Sequence, residues 1–390
     1  MADREIGVGV IGYGLGGSVF HAPFVSAVPG LRLAAIMQRT GDTAAKAYPA
    51  TRIARSLDEI LADKSIDLVV VSTPNETHFV LAKRVLEASK HVVIDKPFSA
   101  TSEEARELGQ LAKSKGLLAI PFHNRRWDGD FQTVRKLLQQ GAIGRLVTFE
   151  SHFDRFRPIP RENTWKEAEN PANGMLFDLG PHLVDQVLAL FGAPDAITAS
   201  VRADRDETAI EDAFDITLHY PGKPGSPDSS LAGVDKPGSP ASNLAGVEKN
   251  GKGLLAHCRT SYLACDNAPR FLLHGTKGSF KKHGLDPQEP ALVGGAKVPV
   301  LGSKEVWLQE KESAWGKLTV APVPADPAML VEHHVKTEPG DYRGFYANVR
   351  DAILGKAEPA VTPEDGYRVT KLLEMARTSS KSGCTLKIKF

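Results

Sequence analysis

The chain has 390 residues, of which 42% are hydrophobic and 24% charged, and its formal net charge is +1. This length predicts two domains, with room for a third. The near-zero charge excludes both the basic surface of a nucleic-acid-binding protein and the polybasic segment of a membrane-bound one, so we expect a small-molecule partner. The three cysteines form no CxxC pair, the N-terminus lacks a signal-peptide pattern and no apolar run is long enough to span a membrane. These features predict a cytoplasmic protein.

Residues 1–122 are predicted to form a Rossmann domain, an α/β unit with a doubly wound parallel sheet. Short runs rich in Val, Ile and Leu alternate here with helical patterns, as in βαβ units whose strands are covered on both faces. Ser56 with Glu59 and Thr101 with Glu104 have capping-box spacing and mark two helix starts. The predicted strands are 6–12, 31–37, 67–73, 91–95 and 117–122.

Residues 123–390 are predicted to form an α+β domain for substrate binding and oligomerisation. A helical stretch, FQTVRKLLQQG, is followed by strand-like runs without intervening helices, which favours a large, open and mostly antiparallel sheet. We expect the C-terminal helix to pack back on the Rossmann domain. A 13-residue unit occurs twice in succession at 223–248 and predicts a loop insertion of unknown role. The predicted strands include LVTFESHFDRF, DAFDITLHY, LLAHCRTSYLAC, RFLLHG and EVWLQEK.

The stretch IGYGLGGSVFHAP follows the first predicted strand and precedes a helix. Gly12, Gly14 and Gly17 have the spacing G-x-G-x-x-G, which suits a tight turn, close approach of a pyrophosphate to the backbone, and helix-to-strand packing, respectively. The helix N-terminus would supply amide donors to the phosphates. A glycine-rich turn without a ligand is the alternative, and the repeated βαβ pattern disfavours it. The predicted dinucleotide contacts from this loop also include Tyr13, Leu15, Gly16 and Phe20.

The end of the second strand predicts which dinucleotide binds. Sites for NAD usually have a carboxylate there, whereas this chain has Gln38, Arg39 and Thr40, with no acid before Asp42. An arginine pairs with a 2′-phosphate that a carboxylate would repel. We therefore predict NADP(H), with NAD(H) less favoured, and place Arg39 and Thr40 at the ribose. The alternative is that Arg39 is only a solvated surface charge.

Two further stretches carry candidate catalytic groups. In IDKPFS, Asp95 and Lys96 follow the fourth predicted strand, on the crevice side of an open α/β sheet. In FDLGPHLVDQ, Asp178 and His182 are four residues apart, a spacing that puts both side chains on one face of a helix. Taken singly, such a lysine is usually a solvated charge and such a pair is usually a surface pair or a cap.

These stretches together resemble a known family. The phosphate loop, TPNETH at 73–78, DKP at 95–97 and DLGPH at 178–182 occur in the order typical of the Gfo/Idh/MocA family of NAD(P)-dependent oxidoreductases, and the resemblance spans nearly the whole chain. Asp95 replaces the glutamate of the family's usual Glu-Lys-Pro. The segments GYGLGGSVFHAP, FHNRRWDGDF and ESHFDRFRP are similar to the branch that contains NADP-dependent scyllo-inositol dehydrogenases.

The resemblance implies hydride transfer between NADP(H) and a secondary alcohol or ketone of a cyclic polyol or sugar, with scyllo-inositol and inosose as the best-supported pair. An aldose or other sugar dehydrogenase, and a non-catalytic NADP-binding regulator that responds to sugars, remain alternatives. Lys96 and His182 would move the proton, in an order left open, and Asp178 would orient them or bind a substrate hydroxyl.

The resemblance also implies further contacts, some with plainer alternatives. Asn75 could instead cap the following helix, the paired arginines could bind acids, and Trp165 could pack in the core. No metal is expected, since the adjacent His333 and His334 diverge on a helix and no Cys/His pair has zinc spacing. An apolar open sheet face would need a partner, so we expect a homodimer or homotetramer through the C-terminal sheet. The implied cofactor contacts are Thr73, Pro74, Asn75, His78, Asp95, Lys96 and Arg125, and the implied substrate contacts are Lys96, Asn124, Arg126, Trp165, Asp178 and His182.

Overall fold

The computed structural model describes residues 4–162, 164, 167–168, 170–208, 210–221, 252–305, 307–323 and 326–390. Trp165 and the duplicated segment 223–248 lie outside these ranges. The described residues form a six-stranded parallel sheet followed by a nine-stranded mixed sheet. This confirms the predicted fold class, a Rossmann unit joined to a domain with a large, mostly antiparallel sheet. None of the helices in these ranges is long and apolar enough to cross a bilayer.

The parallel sheet has its topological switch point between its first and fourth strands. The strand order is β3-β2-β1-β4-β5-β6, and ligands of such sheets bind outside the carboxyl ends of the strands where the order reverses. The sequence analysis missed β3, because three residues with one buried side chain make no apolar run. The strands are β1 (Ile6–Ile11), β2 (Leu31–Met37), β3 (Arg52–Ala54), β4 (Leu68–Val71), β5 (His91–Ile94) and β6 (Ala119–Pro121).

Helices cover both faces of this sheet, and their starts follow the predicted signals. Both capping boxes are formed, with the side chain of Ser56 accepting from the Glu59 amide and that of Thr101 from the Glu104 amide. The phosphate loop ends in a π-helical turn, Gly16–His21. The helices are α1 (Ala22–Ala27), α2 (Thr43–Ala47), α3 (Leu57–Ala62), α4 (His78–Glu87) and α5 (Ser102–Ser114).

The second sheet has the order β14-β13-β12-β11-β7-β10-β9-β8-β15, in which β7 and β10 are parallel and the other neighbours antiparallel. Its strands are β7 (Leu146–His152), β8 (Ala196–Arg202), β9 (Ala213–Tyr220), β10 (Leu254–Ser261), β11 (Phe271–Gly275), β12 (Gly278–Lys282), β13 (Gly316–Val320), β14 (Val331–Val335) and β15 (Leu386–Lys387). Its helices are α6 (Gly129–Gln139), α7 (Met175–Asp178), α8 (Gly180–Phe191), α9 (Gln288–Val293), α10 (Arg343–Ile353) and α11 (Pro363–Ser382).

The predicted strand EVWLQEK is wrong, since residues 307–311 form no strand. Trp307 is instead buried in the hydrophobic core of the Rossmann domain, where its Nε1 donates to Gln288 Oε1 at 2.8 Å. Its apolar character therefore reflects packing between the two domains and not membership of a sheet.

The two domains are joined through the C-terminal helices. Helix α11 contacts α8 in its own domain and α5 in the Rossmann domain, and Glu374 on α11 accepts from both the amide and the hydroxyl of Ser102. Helix α10 packs against α1. Because the chain returns to the first domain in this way, the cleft between the domains has walls from both.

Candidate active site

A cavity of about 1250 Å³ lies between the carboxyl ends of the parallel strands and the second domain. It exceeds the roughly 300–1,000 Å³ of ordinary small-molecule sites, which suits a dinucleotide with a substrate beside it. Most of the predicted site residues line it: Gly12, Tyr13, Gly14, Leu15, Gly16, Phe20, Arg39, Thr40, Thr73, Pro74, Asn75, Asp95, Lys96, Asn124, Arg125, Asp178 and His182.

The glycines of the phosphate loop are required for different reasons. Gly12 has φ +93°, and a Cβ there would overlap the carbonyl oxygen of Ser72. A Cβ on Gly17 would overlap the carbonyl oxygen of Gly12, so Gly17 permits the close packing of loop and helix and lies off the cavity wall. A Cβ on Gly14 would meet no described atom within 4 Å. Protein packing therefore does not explain Gly14, whereas a pyrophosphate lying against the backbone does.

The loop after β2 presents Arg39 to the cavity without an acidic neighbour. Arg39 is exposed, while Asp42, the next acid, pairs with Lys46 at 3.1 Å. The side chain of Gln38 is held by hydrogen bonds to the backbone and to a side chain of α2, and its Oε1 accepts from the Ala44 amide at 2.9 Å. The groups at this end of the cavity therefore fit a phosphorylated ribose, since Arg39 faces it and no ion pair between Arg39 and a carboxylate occurs among the described residues.

Lys96, Asp178 and His182 come together at the wall of the cavity. Lys96 follows β5, and its Nζ lies 2.6 Å from Oδ1 and 2.7 Å from the carbonyl oxygen of Asp178. Asp178 is the last residue of α7 and His182 lies in the first turn of α8, so the predicted single helix is divided at Leu179. The sequence spacing brings the two side chains to one place although two helices carry them.

His182 has the electrostatic surroundings of a neutral imidazole. It is buried, and its Nδ1 makes no hydrogen bond to any described residue. Burial lowers the pKa of His182 well below its ordinary value, and the positive charges of Arg125 and Lys96 lower it further. A neutral imidazole at this wall can accept a proton.

Asp95 stays ionised in the floor of the site. Burial acts to raise the pKa of Asp95, but the adjacent imidazole of His21 and the charge of Lys96 outweigh it and hold that pKa below its ordinary value. One Asp95 oxygen accepts from the Lys96 amide at 2.8 Å and the other from the Ser72 hydroxyl at 3.0 Å. We therefore assign the shorter acid of DKP to fixing the backbone that carries Lys96.

Besides Gly17, the predicted contacts His78 and Arg126 lie off the cavity wall. His78 is buried, and its ring nitrogens contact the carbonyl oxygens of Pro97 at 2.7 Å and Thr73 at 2.8 Å. Arg126 forms a bidentate pair with Asp185, at 2.9 and 2.6 Å. Both side chains are engaged by protein groups, and we assign them to holding the structure around the cavity.

Asn75, Asn124 and Arg125 are predicted residues that do line the cavity. Asn75 does not cap α4, since its Nδ2 donates to the carbonyl oxygen of Ala172 at 2.7 Å, across the domain boundary. Asn124 and Arg125 belong to a 3₁₀ turn that follows β6. Arg125 pairs with Asp128 and Glu289, which fixes its guanidinium at the cavity wall.

Sequence reasoning did not select several wall residues of the second domain. The cavity is also lined by Arg155, Arg157, Arg161, Tyr262 and Glu289. The alternation of arginines in FDRFR, just past a strand, was an available signal for two of them. Among the described residues, no three His, Cys, Asp or Glu side chains are grouped as a metal site would require.

Comparisons with known proteins agree with this architecture. A model of an oxidoreductase family with an NAD-binding Rossmann fold matches residues 6–123, a GFO/IDH/MocA C-terminal domain matches 131–239, and an oxidoreductase-family C-terminal α/β domain matches 249–388. The chain is 38% identical to the uncharacterized oxidoreductase YdgJ of Escherichia coli, over 99% of each chain. It is 34% identical to scyllo-inositol 2-dehydrogenase (NADP(+)) IolW of Bacillus subtilis, over 98% of this chain and 95% of that one. The solved structure of the oxidoreductase yvaA from Bacillus subtilis has a TM-score of 0.85 at 33% identity, with 99% of each chain covered.

Proposed function

Because the chain belongs to the Gfo/Idh/MocA family of oxidoreductases, we propose that it transfers a hydride between NADP(H) and a secondary alcohol or ketone of a cyclic polyol or sugar. Scyllo-inositol and its inosose are the first pair to test, because a relative that matches along nearly the whole chain is named for that activity. The observation that carries the proposal is the meeting of Lys96, Asp178 and His182 at the wall of a cavity that begins at the phosphate loop.

The residues that would hold the cofactor divide between two parts of the cavity. The backbone around Gly14 and the start of the following helix would bind the pyrophosphate, and Arg39 with Thr40 would bind the phosphorylated ribose. When bound, the nicotinamide supplies or accepts the hydride. Support for NADP over NAD comes from the cation and the missing carboxylate after β2.

The protein's own groups account for the proton and for the charge on the substrate oxygen. We assign His182 as the base that takes the hydroxyl proton, because its pKa is lowered and it is neutral before the reaction. Lys96, held by Asp178, would donate to the substrate oxygen and stabilise the negative charge that develops as the proton leaves. In the reducing direction the same groups polarise the ketone and return the proton.

A substrate panel tests the proposal. Purified protein is assayed with scyllo-inositol, other inositols and aldoses, and with inosose in reverse, using both NADP and NAD and following the absorbance of the reduced nicotinamide. Lys96→Ala should remove turnover while retaining NADPH binding, whereas Lys64→Ala, at an exposed position away from the cavity, should behave as wild type. NADPH binding without turnover of any compound would instead favour the non-catalytic regulator.

We also propose that the protein is cytoplasmic. A separate proposal is that it self-associates through the outer face of the second sheet. The predicted apolar face is absent from its central strands, where the outward side chains include Asp215, Thr217, His257 and Arg259. Leu255, 39% exposed between β7 and β9, is an apolar exception. Leu255→Glu should convert a dimer or tetramer into a smaller species in light scattering, and a monomeric wild type would refute the association.

A further inference from the structure

The chain beyond β7 carries a row of side chains from the catalytic groups into the far end of the cavity. It runs beside the end of β10 and then beside the segment after it, with the amides of Phe153, Arg155 and Arg157 donating to the carbonyl oxygens of Arg259, Ser261 and Tyr262, and with Phe156 in an antiparallel bridge to Leu263. Alternate residues of an extended segment share a face.

The shared face consists of Phe153, Arg155 and Arg157. The ring of Phe153 is buried, with its centroid 6.3 Å from that of His182. Arg155 and Arg157 line the cavity, while Phe156 between them is 54% exposed. At no more than about 3.3 Å per residue, the two arginines start at most roughly 7 and 13 Å beyond Phe153.

The acids at this end of the cavity already have cationic partners. Glu167 pairs with Arg205 at 2.8 Å and Glu211 pairs with Arg377. Glu289, the remaining acid on this wall, is taken by Arg125.

Three arginines are therefore left with little or no neutralisation. Arg155 approaches Glu289 only at 3.8 Å. Arg157 stacks over Tyr262 at 5.6 Å and, like Arg161, forms no ion pair with any residue in the described ranges. Among the described residues, this end of the cavity consequently has a surplus of positive charge.

We infer that the preferred substrate carries an oxyanion, a carboxylate or a phosphate, which Arg155 and Arg157 bind while the reacting carbon lies against Lys96 and His182. A guanidinium binds either group through paired, charge-assisted hydrogen bonds. Between His182 and the two arginines there is room for a molecule of the size of a sugar, with its reacting carbon at one end and its anionic group at the other. This inference rests on the proposed function and narrows its substrate from neutral polyols to acidic ones.

The test compares neutral and anionic forms of one carbon skeleton. Wild type, Arg157→Gln and the control Arg368→Gln, at a helix surface outside the cavity, are assayed with glucose, glucose 6-phosphate and glucuronate, and with scyllo-inositol and an inositol monophosphate. We expect the anionic forms to have the higher kcat/KM in wild type. Arg157→Gln should lower it for them about 10- to 100-fold, chiefly through KM, and leave the neutral forms nearly unchanged. The phosphate and carboxylate arms decide which oxyanion is preferred.

Salt provides a second readout on the same proteins. Because the anion is bound by partly exposed charges, KM for the anionic substrate should rise with ionic strength in wild type and much less in Arg157→Gln. Thermal unfolding of the variant checks that its fold is intact.

The outcomes separate this inference from the proposed function. Equal or better use of neutral polyols by wild type, or an equal loss on both substrate classes in Arg157→Gln, overturns the anion site and leaves the dehydrogenase standing. If nothing is turned over, the proposed function fails, and calorimetry of glucose 6-phosphate and glucuronate on the NADPH complex decides the anion site. Binding that Arg157→Gln weakens supports it, and absence of binding overturns it.

Discussion

Gly14 and Gly17 have equally prominent places in the phosphate loop, but alanine at the two positions should affect different properties. A methyl group on Gly14 meets no described atom within 4 Å, and the residue's φ lies outside the left-handed region. Gly14→Ala should therefore change the free energy of unfolding by less than about 0.5 kcal/mol, or raise it slightly through the unfolded state. The methyl would occupy the space where the pyrophosphate approaches the backbone.

The cost of Gly14→Ala should fall on binding. Displacing the pyrophosphate disrupts at least one charge-assisted hydrogen bond, each contributing about 1.5–3 kcal/mol. The dissociation constant of NADPH should then rise by roughly 10- to 100-fold. Gly17→Ala is the matched comparison, because its methyl would overlap the Gly12 carbonyl oxygen and force the loop from the helix. Overpacking of this kind costs about 1–3 kcal/mol of stability.

Urea denaturation and fluorescence titration with NADPH measure the two quantities on the same preparations. The reasoning is refuted if Gly14→Ala binds NADPH like wild type, since the open space at that position would then not belong to the cofactor. It is equally refuted if Gly17→Ala unfolds at the wild-type urea concentration, since the close contact with Gly12 would then be unimportant.

Three other substitutions or conditions give direct tests. Arg39→Gln should raise KM for NADP about tenfold or more and leave KM for NAD unchanged, and parallel increases in steady-state assays would argue against a 2′-phosphate contact. Arg126→Met should cost about 3–5 kcal/mol in urea denaturation, because it leaves Asp185 buried without its partner, and a loss below 1 kcal/mol would contradict this. Because the pKa of His182 in the folded protein is lowered, kcat/KM should stay constant as the pH falls through about 6.5, the ordinary pKa of a histidine. It should decline only near the lowered pKa. The free energy that His182 contributes to folding should decrease as the pH falls from about 6.5 to that lowered pKa, since in this range only the unfolded chain binds a proton at the histidine.

The sequence correctly predicts those structural elements that depend on residues close to one another in the chain. Capping boxes at Ser56 and Thr101, the strands with continuous Val and Ile, and the loop glycines all depend on residues within a few positions of one another. The short strand β3 and the segment around Trp307 were missed or assigned wrongly because their structure depends on distant partners. An apolar run indicates burial, and only the fold decides whether it is buried in a sheet or between domains.

The site residues also differ in whether nearby sequence or distant partners determine their positions. Lys96, Asp178 and His182 were identified because family motifs mark them, and the structure brings them together. Nothing local distinguishes Arg125, which lines the cavity, from Arg126, which is held by Asp185. Adjacent side chains on a turn diverge, and each also has a partner more than fifty positions away, Glu289 on α9 for Arg125 and Asp185 on α8 for Arg126.

A contact between the domains relates two motifs that are far apart in the sequence. His21, at the end of GYGLGGSVFHAP, is fully buried, with Nδ1 2.6 Å from the hydroxyl of Tyr346 on α10 and Nε2 3.3 Å from Asp95. It is therefore enclosed by protein behind the cavity wall, whereas the preceding Phe20 lines the cavity. Through Asp95, which accepts from the Lys96 amide, this chain of contacts connects a helix of the second domain to the backbone that carries Lys96. The position of Lys96 against Asp178 therefore depends on how the two domains are docked, and substitutions at His21 or Tyr346 should change catalysis without touching a ligand.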